Sequence, residues 1–201
     1  MNKSTFLAWI FRMPLIKRWA LVHTFKKENI SEHSHQVAVI AHLLVLIKNT
    51  MFGGQLNPDR VVTLAIYHEI SESKLQDVNH VTKYHNPEIT REFKKLEKLC
   101  EEECLASLPV ELQEAFSGVL VQDDVDLVYK KIIKAADIIS AYLKACDELK
   151  FNNCEFVPIK ERLTKMLASY QEELPEVKCF MEVFAEDCLV GVDELSNKDR
   201  S

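Results

Sequence analysis

Five of the six prolines, Pro58, Pro87, Pro109, Pro158 and Pro175, each stand at the head of a stretch with helical apolar spacing. Proline has no N–H to give, so the first turn of a helix accepts it and the interior does not. The prolines therefore read as helix starts. Upstream of them, Val37, Ile40, Leu44 and Ile47 recur at helical spacing, with Ser31 as the expected N-cap. No segment alternates as a half-buried strand would, and only four glycines are present, which leaves few tight turns. The pattern predicts helices over 32–50, from Pro58 to about 72, over 88–106, from Pro109 to about 121, and over 125–150, 159–172 and 176–195. A short apolar segment covers 4–12. Gly53-Gly54 and Phe151-Asn152-Asn153 end helices, 74–86 reads as a polar loop, and 196–201 as a frayed tail. The expected fold is all-α, in one domain spanning 1–201.

Charge and cysteine usage exclude several functions. A net charge of −6 argues against a nucleic-acid polymer as partner, because phosphate neutralisation needs clustered Lys and Arg. A small anionic substrate needs only a local positive site. No uninterrupted apolar stretch reads as long enough to span a bilayer, and the run Phe6–Phe11, stopped by Arg12, is too short for a secretory signal. The six cysteines include no CxxC pair and read as reduced thiols of a cytoplasmic protein. The charge run of 88–106 reads as a solvated face.

The chemistry gathers in three places. In "IYHEISES" (66–73), His68 stands beside Glu69 and four residues before Glu72. Leu64 and Ala65 precede His68 by four and three residues, so on a helix it faces the core with Glu72 one turn on. The bland alternative is a helix C-terminus with two solvated glutamates, which the helix dipole disfavours. The motif is not HExxH, because position 72 is not histidine. His33 leads the stripe Val37, Ile40, Leu44; taken alone, it reads best as a satisfied core or cap residue. Asp137 interrupts an apolar, small-residue helix, where a buried carboxylate costs several kcal/mol unless paired or metal-bound. Lys134 could supply an ordinary ion pair. Together, two imidazoles and two carboxylates suit a first-row divalent ion. Such an ion acidifies bound water and polarises phosphoryl oxygens, with a nearby glutamate as general base.

His33, His68-Glu69 and Asp137 resemble the H…HD…D pattern of the HD-domain metal-dependent phosphohydrolases, most closely the bacterial HD-domain 5'-deoxynucleotidases. The resemblance covers nearly the whole chain through "LIKRWALVHTFKKENISEHSHQVAVIAH", "NTMFGG", "AIYHEISE", "VTKYHNPEI", "KKIIKAADIISAYLKACDEL" and "NNCEF". It implies the all-α HD fold, a homodimer, and hydrolysis of deoxyribonucleoside 5'-monophosphates to deoxynucleoside and phosphate. It implies one divalent transition-metal ion, Co2+ or Mn2+ first, with Zn2+, Ni2+ or Fe2+ as alternatives. His33, His68 and Asp137 match metal ligands, and Glu69 stands where the family has its ligand aspartate. Glu72 matches the residue that activates water. Arg18 matches a phosphate-orienting arginine, Trp19 an aromatic that excludes the ribose 2'-hydroxyl, and Asp77 an acid of the substrate loop.

Two departures follow. Glu69 reaches about 1.5 Å further than aspartate, so the ion or its helix is expected to shift, or the site to loosen. The family's Gly-Asp-Leu-Pro-Thr-Pro loop reads Gln76-Asp77-Val78-Asn79-His80-Val81 here, which predicts a less rigid loop and brings His80 into the substrate pocket. A deoxynucleoside triphosphate hydrolase, or a weakened nucleotide-binding relative, is the alternative these departures raise.

Overall fold

In the computed structural model, which describes residues 3–198, the regular structure is all helical, and among the described residues there is no strand. The helices are α1 (Phe6–Ile10), α2 (Ile30–Met51), α3 (Pro58–Ile66), α4 (Glu72–Leu75), α5 (His80–Lys83), α6 (Pro87–Ala106), α7 (Val110–Leu120), α8 (Leu127–Lys150), α9 (Phe156–Glu173), α10 (Pro175–Val183) and α11 (Val192–Lys198). α2 runs through the middle, packed by α3, α8 and α10, and α9 lies along α8. The main core joins Val37, Ala41 and Leu44 of α2 to Leu64 of α3, Ile139 of α8 and Phe156 of α9, all buried. A second cluster, with Phe6, Ile70 and Leu120 at its centre, fastens α1 and α7 to the other side.

Several helix ends differ from the sequence pattern, each for a local reason. α2 starts at Ile30 because Asn29, not Ser31, is its N-cap. Asn29 Oδ1 accepts from Glu32 N at 3.0 Å and Glu32 Oε2 accepts from Asn29 N at 3.3 Å, a reciprocal capping box. Ser31 has Ser34 at the equivalent spacing and cannot close one. α9 starts at Phe156, which leaves Pro158 still inside the first turn. The predicted helix over 176–195 is broken after Val183 by a 3-10 turn at Asp187–Leu189, and Gly191 separates it from α11. α11 continues through Lys198, into the segment expected as tail; residues 199–201 lie outside the described residues. The segment 74–86 carries the short helices α4 and α5 where a loop was expected.

At 22 residues, α2 is long and apolar enough to cross a membrane by length and composition, which the apolar runs in the sequence did not suggest. Here it is the central core helix, and its apolar face is covered by protein. The most consequential difference is in α3. It stops at Ile66, not near 72, and residues 67–71 form a turn before α4. His68 and Glu69 therefore sit on a turn, and the helical-wheel placement expected for them does not apply.

Candidate active site

One ligand atom from each of His33, His68, Glu69 and Asp137 lies within 4.8 Å of the others. Three elements deliver them: α2 brings His33, the turn after α3 brings His68 and Glu69, and α8 brings Asp137. The turn orients His68. Its Nδ1 donates to the Ala65 carbonyl oxygen at 2.6 Å, a group that can only accept, so the proton is on Nδ1 and the Nε2 lone pair is free. Nε2 is buried without a hydrogen-bond partner.

His33 is oriented the same way by a longer chain. Ser140 spends its hydroxyl proton on Gln36 Oε1 at 3.0 Å, so its oxygen is left to accept from His33 Nδ1 at 3.3 Å. His33 Nε2 then faces Asp137 Oδ1 at 3.1 Å, lone pair toward lone pair, with no hydrogen bond between them. Two imidazoles with fixed tautomers and converging bare nitrogens are what a metal site requires. A merely structural cluster would have paired them. The donor set of two nitrogens and two carboxylates fits a divalent ion of the first transition row.

The carboxylates divide their oxygens. Asp137 Oδ2 accepts from Lys134 Nζ at 2.7 Å, so the ordinary ion pair and the inward-facing Oδ1 coexist on one side chain. Burial alone would raise Asp137, but the Lys134 ammonium, with the Arg18 guanidinium, holds it well below the usual carboxylate range. Burial lowers the pKa of His68 against the pull of Glu69. Burial and the Asp137 carboxylate raise Glu69, and the cations around it, a protonated His68 first and Arg18 after it, bring it below its ordinary value. Its Oε1 lies 3.4 Å from His68 Nε2, so the longer arm has reached the cluster. Because the residue is on a turn, that reach needs no displacement of a helix.

Glu72 opens α4 and points back at this group. Burial, the Glu69 and Asp77 carboxylates and a hydrogen bond to Glu69 push its pKa up to about 11. Its Oε2 is buried and has no partner. Neither glutamate is the solvated helix-end residue of the bland reading.

Next to the cluster lies a cavity of about 510 Å³ whose lining includes Arg18, Trp19, Glu69, Glu72, Asp77 and His80. Trp19 has φ 63, in the left-handed region that costs a bulky residue energy. Its backbone N–H donates to Asp77 Oδ2 at 3.2 Å, and its ring leans on Phe156, with centroids 5.2 Å apart. Burial raises Asp77 against the pull of Arg18, and burial together with Arg162 lowers His80. Asn79 caps α5 through Val81 N at 2.8 Å and donates to the Ala20 carbonyl at 3.3 Å. The 76–81 loop is thus tied to the Arg18–Ala20 segment at two points. Gln76, in the place of the family glycine, has φ 65 and ψ 172, a region glycine occupies almost alone.

Sequence reasoning singled out the four donors with Glu72, Arg18, Trp19, Asp77 and His80, and missed Ser140, Gln36, Phe156, Arg162 and Glu28, the acceptor of the Trp19 indole N–H. Ser140 and Gln36 stand at i+3 from Asp137 and His33, on the same helix faces. That spacing was the available signal. Arg162 also lines the cavity, and among the described residues no carboxylate lies within ion-pair distance of it.

Comparison with known proteins agrees with this geometry. The family model described as 5'-deoxynucleotidase YfbR-like matches residues 5–188. A 5'-deoxynucleotidase of Vibrio parahaemolyticus is 44% identical over 196 residues, covering 98% of this chain and 100% of that protein. A 5'-deoxynucleotidase of Yersinia pestis is 43% identical over 193 residues, covering 96% and 97%. Among solved structures, an HD-domain phosphohydrolase from Listeria innocua superposes with a TM-score of 0.80 at 21% identity, covering 94% of this chain and 90% of that one. The cyanophage S-2L HD phosphohydrolase DatZ, bound to dA and one catalytic Zn2+ ion, gives 0.62 at 16% identity, covering 93% and 98%. With the fold of the HD-domain phosphohydrolases and similarity over its full length, the chain belongs to the YfbR-like 5'-deoxynucleotidase family.

Proposed function

We propose that this enzyme hydrolyses deoxyribonucleoside 5'-monophosphates to deoxynucleoside and phosphate, using one divalent transition-metal ion. The observation that carries the proposal is the bare, buried Nε2 of His68, held in its tautomer by Ala65 and facing His33, Glu69 and Asp137. When bound, the ion supplies positive charge that acidifies water, polarises the phosphoryl oxygen and offsets the carboxylate repulsion at Glu72. Arg18 orients the phosphate through its guanidinium, whose charge Glu28 and the site carboxylates hold firmly against burial. Glu72, as carboxylate, takes the proton of the attacking water. Trp19, fixed by Asp77 and Phe156, closes the sugar end against a 2'-hydroxyl. His80 and the Asp77 loop line the remaining wall.

The preferred ions are Co2+ and Mn2+, with Zn2+ a third choice that DatZ supports by analogy. The working form is a homodimer in the cytoplasm, which light scattering of purified protein and fractionation of cells would test.

The decisive experiment is phosphate release from the four deoxynucleotides and their ribonucleotide counterparts, with each ion, for wild type beside Glu69→Asp. Wild type should turn over the deoxynucleotides. The shorter aspartate should fall short of a cluster built around glutamate and lose roughly tenfold in kcat/KM, the scale of a perturbed metal shell. A large gain on Glu69→Asp would mean that the glutamate had weakened the site. No turnover with any ion would reject the proposal itself.

A further inference from the structure

We propose that Glu28 is a positioning residue: one carboxylate oxygen sets Arg18 and Trp19 relative to each other, and so sets how the pocket tells deoxyribose from ribose. The inference rests on the roles proposed above for those two residues.

Glu28 is buried, with 8% of its surface exposed. Its Oε2 accepts the Trp19 indole N–H at 2.6 Å, and the same atom lies 3.4 Å from Arg18 Nε. Arg18 in turn stacks on the indole, its Cζ 5.7 Å from the ring centroid. The three side chains form a closed triangle with Glu28 at the vertex away from the cavity lining. Among the described residues no hydrogen bond engages the Arg18 guanidinium, so its terminal nitrogens stay available to a phosphate, while Glu28 anchors the inner nitrogen by charge alone.

The backbone repeats the linkage. Arg18 N donates to the Glu28 carbonyl at 3.0 Å, beside the antiparallel bridge of Lys17 and Asn29. Asn29 is the N-cap of α2, the helix that carries His33. Glu28 is therefore where the metal-ligand helix is joined to the segment that handles sugar and phosphate. Trp19 needs such a hold. A tryptophan at φ 63 relaxes toward ordinary backbone unless its surroundings over-determine it. Asp77 holds its amide, Phe156 its face, and Glu28 its N–H edge.

Two variants separate the carboxylate's functions, made in a Trp9→Phe background so that Trp19 is the only fluorophore of its kind. Glu28→Gln keeps an acceptor for the indole and removes the charge beside Arg18. It should raise KM for dAMP roughly tenfold, as expected for loss of a charged contact, with the dAMP-to-AMP ratio of kcat/KM unchanged. Glu28→Ala removes both. It should lower that ratio roughly tenfold and move Trp19 emission to longer wavelength. A ratio and an emission maximum that Glu28→Ala leaves in place, including a uniform fall in kcat, overturn the proposal. If Glu28→Ala does not fold, the KM-against-kcat split of Glu28→Gln decides, and a loss confined to kcat overturns it. If wild type hydrolyses no nucleotide, the functional proposal is what fails. The emission shift then decides this one, since it reads Trp19 without turnover.

Discussion

A Glu72→Gln variant is expected to hold its metal as wild type does and to lose about three orders of magnitude in kcat, within the usual range for removing a general base. The geometry separates Glu72 from the donors: it is outside the group of four and reaches Glu69 by a hydrogen bond. Glutamine keeps the shape and can donate that bond, but cannot take a proton from water. Near neutral pH the metal-free Glu72, with a pKa of about 11, already carries a proton, so the amide imitates its resting state. Thermal stability of the metal-free protein should therefore be unchanged or slightly higher. Steady-state kcat on dAMP, metal content by mass spectrometry and Tm test this together. A kcat within about tenfold of wild type, with metal bound, would assign the base elsewhere.

The second large effect lies about the other end of the Arg18–Asn29 segment. Glu148 of α8, 1% exposed, accepts from Phe25 N at 2.9 Å, Lys26 N at 3.1 Å and Asn153 Nδ2 at 2.9 Å, and pairs with Lys144. Burial works against the charge, but these bonds, Lys144 first, bring its pKa down to about 2. Glu148→Gln leaves the Lys144 charge buried without its partner and should cost about 3–5 kcal/mol, the usual penalty for breaking a buried pair. For a chain of this size that is a fall in Tm of roughly 10 °C. Because the folded carboxyl titrates below its ordinary value of 4.5, its contribution is complete above that pH and drains away as pH falls toward 2. Urea midpoints at neutral pH and near pH 3 should show wild type and Glu148→Gln far apart at the first and converging at the second. Equal midpoints at neutral pH would sink the idea.

The two effects sit at different depths of legibility. Proline-led helices and the α2 stripe were readable because periodicity and first-turn chemistry are local. The four donors were readable as residue types, since an aspartate in an alanine-isoleucine helix has few cheap explanations. Their tautomers were not, because Ser140, Gln36 and the Ala65 carbonyl act only once helices have packed. α3 was read too long: its apolar spacing continues to Ile70, but that residue is claimed by the second cluster, and competition between two cores is invisible in a one-dimensional pattern. The anchoring of the Asp77 loop was hidden for a similar reason. Its ties run to Trp19 and Ala20, more than fifty positions away.

The turn over residues 67–71 has a consequence for how this family can change. A ligand built into a helical ladder is locked to a register, and lengthening its side chain by one carbon misplaces the donor for good. A ligand on a turn has backbone torsions to spend. Aspartate and glutamate codons differ only in the third base, so the exchange at position 69 is a single mutational step. With the donor still in the cluster, that step weakens the site, by the roughly tenfold loss expected of Glu69→Asp, without emptying it. Glu69 is thus the member of the constellation whose length the backbone can absorb in part, while His33 and Asp137, on α2 and α8, have no such slack.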